Sequence, residues 1–187
     1  KTITLKKEYK LTNPGTLSPA ETFTFTIERT SVTDAGAGID ATDMPIPTIG
    51  TVAYAKGEAG SVTATKEITI TLPEYTSVGI YTYTIKEEDG KKAGVTYYNN
   101  DIKLVVTVIE QNGKVRVAAV HTEAEGEKKN DNFPNEYSAG DLEFSKKVTG
   151  NLGDKAKYFD VTVTLTGVED MIYEESYPVT GGSHDDN

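Results

Sequence analysis

Three side chains occupy places that ask for an apolar residue. In YTYTIKEEDG, Tyr81, Tyr83 and Ile85 share one face of a strand, with Thr82, Thr84 and Lys86 on the other, and the apolar row runs on to Glu87. In ITLKKEYKL the row Ile3, Leu5 ends on Lys7, and in LEFSKKVTG the row Leu142, Phe144 ends on Lys146. An ionised carboxylate in apolar surroundings costs several kcal/mol or takes up a proton, and burial lowers a lysine pKa for the same reason. A lysine amine is a nucleophile only when neutral, so a buried amine beside a buried acid is a reactive pair. For any one of these residues a plainer account exists. The strand ends at Ile85 and Glu87 is in water, or a lysine stem lies along the core with its ammonium outside. Two lysines at matching places, with a glutamate continuing an apolar row, favour an internal role.

The elements that must position them are strands. Period-2 alternation places Phe23, Phe25 and Ile27 inward in FTFTIE, and Ile68, Ile70 and Leu72 inward in KEITITL. IKLVVTVIEQNGKVRVAAV is a hairpin around Asn112-Gly113, a pair that accepts the positive φ angles of a type I′ turn. No segment reads as a helix, and Ser31 to Gly60, rich in Gly, Ala, Pro and Asp, reads as a long excursion. The pattern is all-β, most simply a sandwich of antiparallel sheets.

The openings at Ile3 and Leu142 are an internal echo, each followed by a polar loop and a second alternating strand, TFTFTIE or YFDVTVTL. The expected organisation is a first β-sandwich over 1–138, a linker at 139–141, and the incomplete start of a second, similar domain over 142–187. In that second domain a glutamate at the Lys7-to-Glu87 spacing, 87 − 7 = 80 residues past Lys146, falls beyond Asn187.

Composition narrows the chemistry. Of 187 residues, 29 are Asp or Glu and 19 are Lys or Arg, a net charge of −10 that disfavours nucleic acid and anionic membrane surfaces. No apolar run is long enough for a membrane span, and no signal peptide opens the chain. With no cysteine there is no disulfide, thiolate nucleophile or cysteine metal site. His121 and His184 are too few and too far apart for a triad or a histidine-rich metal centre, and Asp34, Asp40 and Asp43 do not fit an EF-hand loop. No cofactor or metal is expected.

Taken in order, ITLKKEYKL, ETFTFTIE, VGIYTYTIKEEDG and NFPNEYSAGDLEFSKKVTG resemble the streptococcal pilin isopeptide-linkage domain of Gram-positive major (backbone) pilins, with closest likeness to the T-antigen type. The likeness covers all of the first domain and the first strands of the second. It implies an Ig-like, CnaB-like fold in which a first-strand lysine forms an amide bond with a last-strand asparagine, promoted by a middle-strand glutamate. The matching positions are Lys7, Asn135 and Glu87, with NFPN standing where the family has F-x-N. Pro134 confines that part of the strand to an edge or bulge. Protonated Glu87 is expected to hydrogen-bond the amide oxygen, in a pocket dried by Tyr81, Tyr83, Phe23 and Phe133. The chemistry occurs once per chain, so this is self-processing rather than enzyme turnover.

The resemblance further implies a cell-wall location in a pilus outside the cell, with other pilin subunits joined through a sortase. The acceptor lysine aligns with Lys128 in EGEKKNDNFPN, although a YPKN-type motif and an LPxTG signal are absent. Lys146 is the matching nucleophile of the second domain. The competing function is a surface adhesin whose domain binds a host protein or glycan, the cross-link serving only as reinforcement.

Overall fold

The computed structural model describes residues 1–173 apart from 14, 60–63, 125, 127, 141, 151–152 and 154–158. Its strands are β1 (Thr2–Leu11), β2 (Glu21–Phe23), β3 (Phe25–Thr33), β4 (Thr48–Ile49), β5 (Val52–Tyr54), β6 (Ala64–Thr71), β7 (Gly79–Glu87), β8 (Val95–Thr96), β9 (Ile102–Gln111), β10 (Lys114–Glu123) and β11 (Asn132–Tyr137). One sheet has the order β4-β6-β1-β11-β8, a second β10-β9-β7-β3, and β2 pairs with β5 alone. Among the described residues no helix is long and apolar enough to cross a membrane.

The alternation works as read. Along β7 Tyr81, Tyr83 and Ile85 are buried, along β6 Ile68 and Ile70, and along β1 Leu5, Lys7, Tyr9 and Leu11. These rows, with Ile102, Leu104, Val106 and Val108 of β9, close one core between the two larger sheets. Asn112 and Gly113 both have positive φ, 55° and 74°, as the β9–β10 turn requires.

Three features depart from the sequence reading. Thr24 breaks FTFTIE into β2 and β3, which belong to different sheets. The stretch read as an excursion carries β4, β5 and a single 3-10 turn at Ala41–Asp43, and buries Met44, Val52, Tyr54 and Ala59. Its alternation is only two or three residues long, too short to stand out from coil. Among the described residues the sheets are antiparallel except at one place, where β1 and β11 run parallel with Lys7 opposite Phe133 and Tyr9 opposite Asn135. A parallel pair needs a long crossover, and here the rest of the first domain supplies it. Beside β11, β8 pairs only with Glu136 and Tyr137. At Pro134 the flank of β11 away from β1 therefore lacks a ladder partner among the described residues, and a residue with no N–H is tolerated there.

Two compact units divide the chain, 1–90 with 94–139, and 91–93 with 140–187. Among the described residues of the second unit no strand forms. Leu142 and Phe144, expected inward, are 67% and 62% exposed.

Candidate functional site

The side chains of Lys7, Glu87 and Asn135 converge in the core of the first unit. Lys7 and Asn135 come from adjacent strands of one sheet, and Asn135 lies on the inward row Phe133, Asn135, Tyr137. Because Lys7 is level with Phe133, Asn135 is its diagonal neighbour, within reach of a long side chain. Glu87 is the last residue of β7 in the facing sheet, opposite Phe25 of β3. The strand does not stop at Ile85, so the glutamate is still held by the ladder when it reaches the core.

Lys7 Nζ donates to Glu87 Oε2 at 2.9 Å and to the Phe133 carbonyl at 2.9 Å. Neither Lys7 nor Glu87 has any exposed side-chain area, and Asn135 is 1% exposed. Asn135 Nδ2 donates a short hydrogen bond to Glu87 Oε1. Asn135 Oδ1 accepts from the Tyr98 backbone N–H at 2.9 Å. Glu87 thus bridges the amine and the carboxamide, with one oxygen on each nitrogen.

This corrects one expectation. Glu87 faces the amide nitrogen, and the amide oxygen is taken by the main chain. A backbone N–H can only donate, so the carboxamide atom facing Tyr98 must be oxygen, which turns Nδ2 toward the carboxylate.

Burial is the largest influence on both titrating groups. It lowers the Lys7 amine to about 8 against the opposing pull of Glu87, and pushes the Glu87 carboxyl up against the opposing pull of Lys7 and its hydrogen bonds. Both shifts favour the neutral pair of amine and acid.

The aromatic surroundings are partly those expected. Lys7 Nζ lies 4.2 Å from the Phe23 ring centroid. Phe133 packs edge-on against Phe25 at 5.1 Å and Tyr98 at 5.3 Å. Tyr81 and Tyr83 belong to another cluster: Tyr81 packs on Tyr75 at 4.8 Å, and the Tyr83 hydroxyl meets those of Tyr75 and the Pro45 carbonyl. Their shared inward face on β7 does not bring them to Glu87, because each step of two residues moves about 7 Å along the strand. The sequence reading missed Phe25, Tyr98 and the Phe133 carbonyl. Phe25 was legible as an inward residue, but the two main-chain groups carry no side-chain signal.

The remaining candidates lie elsewhere. Lys128 is exposed, next to the turn between β10 and β11, and its carbonyl accepts from the Ala124 N–H at 2.8 Å. Lys146 is exposed, 5.3 Å from the Phe159 ring centroid. Among the described residues no group of three or more His, Asp or Glu could hold a metal ion.

Residues 3–138 match the family model described as a Spy0128-like isopeptide containing domain. Residues 140–187 match a separate model, a domain of unknown function. A curated protein of Streptococcus pyogenes serotype M1, named Pilin, is 29% identical over 167 residues, 87% of this chain and 49% of that protein. The chain therefore spans about half of that relative. The crystal structure of the major pilin from Streptococcus pyogenes has 29% identity and a TM-score of 0.66, covering 83% of this chain and 57% of that one. The T3.2 major pilin of the same species, at 19% identity and a TM-score of 0.56, covers 72% and 52% and shares the fold.

Proposed function

The chain belongs to the family of Spy0128-like isopeptide containing domains, and from that premise we propose that it is a structural subunit or stalk domain of a Gram-positive surface pilus, stabilised by an amide bond that Lys7 and Asn135 form between themselves. The observation that supports this most directly is the Glu87 carboxyl group, buried and hydrogen-bonded to both reacting nitrogens.

In the neutral pair, Lys7 Nζ attacks Asn135 Cγ. The Glu87 carboxyl accepts a proton from Nζ and delivers one to Nδ2. The Cγ–Nδ2 bond breaks, ammonia departs, and the Nζ–Cγ amide remains with Glu87 protonated as it began. Phe23 and Phe133 help keep water from competing. Each chain reacts once, without turnover.

The gain is mechanical and thermodynamic. The bond closes a span of 135 − 7 = 128 residues. By the loop-closure reasoning applied to disulfides, such a tie adds about 5 kcal/mol by restricting the unfolded chain. It needs no oxidant and resists reductants, which suits a cysteine-free protein outside the cell. Because β1 and β11 are adjacent, force applied at the two ends crosses the bond, and the chain between Lys7 and Asn135 is shielded.

In this reading the domain occupies 1–138, 139–141 is a linker, and 142–187 opens a second domain with Lys146 as its candidate nucleophile. Lys128 is the candidate acceptor through which a sortase joins subunits. Two measurements test the reading. Intact mass spectrometry should find the chain lighter than its sequence by one ammonia, with the full mass restored in Glu87→Ala; a wild-type mass equal to the sequence rejects the cross-link. Incubation of the full-length protein with its sortase should give a ladder that Lys128→Ala abolishes, and a ladder that survives the substitution removes Lys128 from the assignment.

A further inference from the structure

The proposed reaction builds negative charge on Asn135 Oδ1 as the amine attacks, and something must stabilise it. Glu87 is poorly placed to do so, since its two oxygens are occupied by Lys7 Nζ and Asn135 Nδ2. The group on Oδ1 is the Tyr98 backbone N–H, 2.9 Å away. We propose that this main-chain amide is the oxyanion donor of the cross-linking reaction, leaving Glu87 to act purely as the proton carrier between the two nitrogens. The proposal rests on the reading of Lys7, Glu87 and Asn135 as a self-joining site.

The surroundings suit the role. Tyr98 lies just after β8, and its ring is held edge-on against Phe133. Its hydroxyl accepts from Asn130 Nδ2 at 2.9 Å. Ring and hydroxyl are both anchored to the segment that carries Asn135, so the N–H is aimed before reaction and needs no reorganisation as charge develops. The electron pair from Nζ enters Cγ and the carbonyl pair moves onto Oδ1, where the N–H receives it. When the carbonyl re-forms, that pair expels Nδ2, which leaves as ammonia with the proton delivered by Glu87. The product carbonyl keeps the same donor.

This division of labour separates main chain from side chain, which makes it testable. In the full chain, Tyr98 is replaced by its α-hydroxy acid, turning the 97–98 amide into an ester that lacks only the N–H. Pulsed synthesis, acid quenching at intervals and intact mass then give the linking rate. Loss of an oxyanion donor should slow linking about 100- to 1,000-fold, whereas Tyr98→Phe, which keeps the N–H and loses only the hydroxyl anchor on Asn130, should slow it far less. The same replacements in a Lys7→Ala background should both unfold in a single cooperative transition above the temperature of the linking assay, the ester somewhat lower for its lost hydrogen bond, showing that the slowing is not misfolding. Independently, hydrogen exchange at the Tyr98 amide should be slow in the wild type and fast in Asn135→Ala. Unchanged linking in the ester, or fast Tyr98 exchange in the wild type, overturns this proposal and leaves the cross-link standing. A wild-type chain that never loses ammonia instead removes the underlying reading.

Discussion

Lys7 and Lys66 face each other across the β1–β6 ladder, and they are given nearly the same partners. Each ammonium has a glutamate, a main-chain carbonyl and an aromatic ring. Lys7 meets Glu87 at 2.9 Å, the Phe133 carbonyl at 2.9 Å and the Phe23 ring at 4.2 Å. Lys66 meets Glu58 at 2.6 Å, the Ala53 carbonyl at 2.7 Å and the Tyr54 ring at 4.5 Å. The difference is water. The Lys7 and Glu87 side chains are wholly buried, while those of Lys66 and Glu58 are 34% and 36% exposed. The two carboxyl groups respond in opposite directions. Burial raises Glu87, whereas the Lys66 hydrogen bond holds Glu58 below its ordinary value. The same set of contacts makes a surface ion pair in one place and a pair poised to exchange a proton in the other. Contact geometry alone does not move an amine and a carboxyl group toward their neutral forms; removal of solvent does.

That comparison predicts a graded set of effects. The largest belongs to Glu87. Glu87→Ala should leave Lys7 and Asn135 unjoined and cost about 5 kcal/mol in chemical denaturation, the contribution of the lost tie. An unlinked Glu87→Ala chain as stable as the wild type would show that the tie contributes little.

Phe23 should come next. Its ring is fully buried and touches Tyr9, Tyr54 and Tyr97 as well as the Lys7 ammonium. Phe23→Ala in an unlinked Lys7→Ala background should cost about 3–5 kcal/mol from lost packing. With Lys7 restored, admission of water should also slow linking; linking at the wild-type rate would detach dryness from reactivity.

The pH profile is a smaller effect but sharper. Between the two pKa values the Lys7–Glu87 pair carries one exchangeable proton, whether drawn as ammonium with carboxylate or as amine with acid. Above about 8, where Lys7 loses its proton, no acid is left to protonate the leaving nitrogen. Below the raised Glu87 pKa a second proton locks the amine as ammonium. Linking should be level between these limits and fall by about tenfold per pH unit past the upper one. A rate that climbs through pH 8 would mean that amine deprotonation alone limits the reaction.

The smallest effect belongs to the surface pair. Glu58→Gln should still lose one ammonia relative to its own sequence at the same rate, and should scarcely move the melting temperature. A large loss there would remove the contrast between the two lysines.

A second contrast shows how much the sequence could reveal. The rows Ile3-Leu5-Lys7 and Leu142-Phe144-Lys146 read alike, yet Lys7 is buried and Lys146 is exposed among the described residues. Alternation says which residues share a face. It does not say whether another sheet covers that face. In the first unit β7 and β9 cover it, and in the second no strand forms among the described residues.

Much of the fold was nevertheless written locally. Strand period 2 identified the inward rows of β1, β6 and β7, and Asn112-Gly113 marked the β9–β10 turn, because side-chain alternation and φ preference depend on neighbouring residues alone. That is also why Glu87 and Lys7 could be singled out as inward-facing. The parallel register of β1 with β11, the separation of Tyr81 and Tyr83 from the site, and the Tyr98 N–H on Asn135 Oδ1 depend on residues far apart in the chain. No local pattern encodes them, since cross-strand register and the packing of one sheet on the other are set only when the whole core closes.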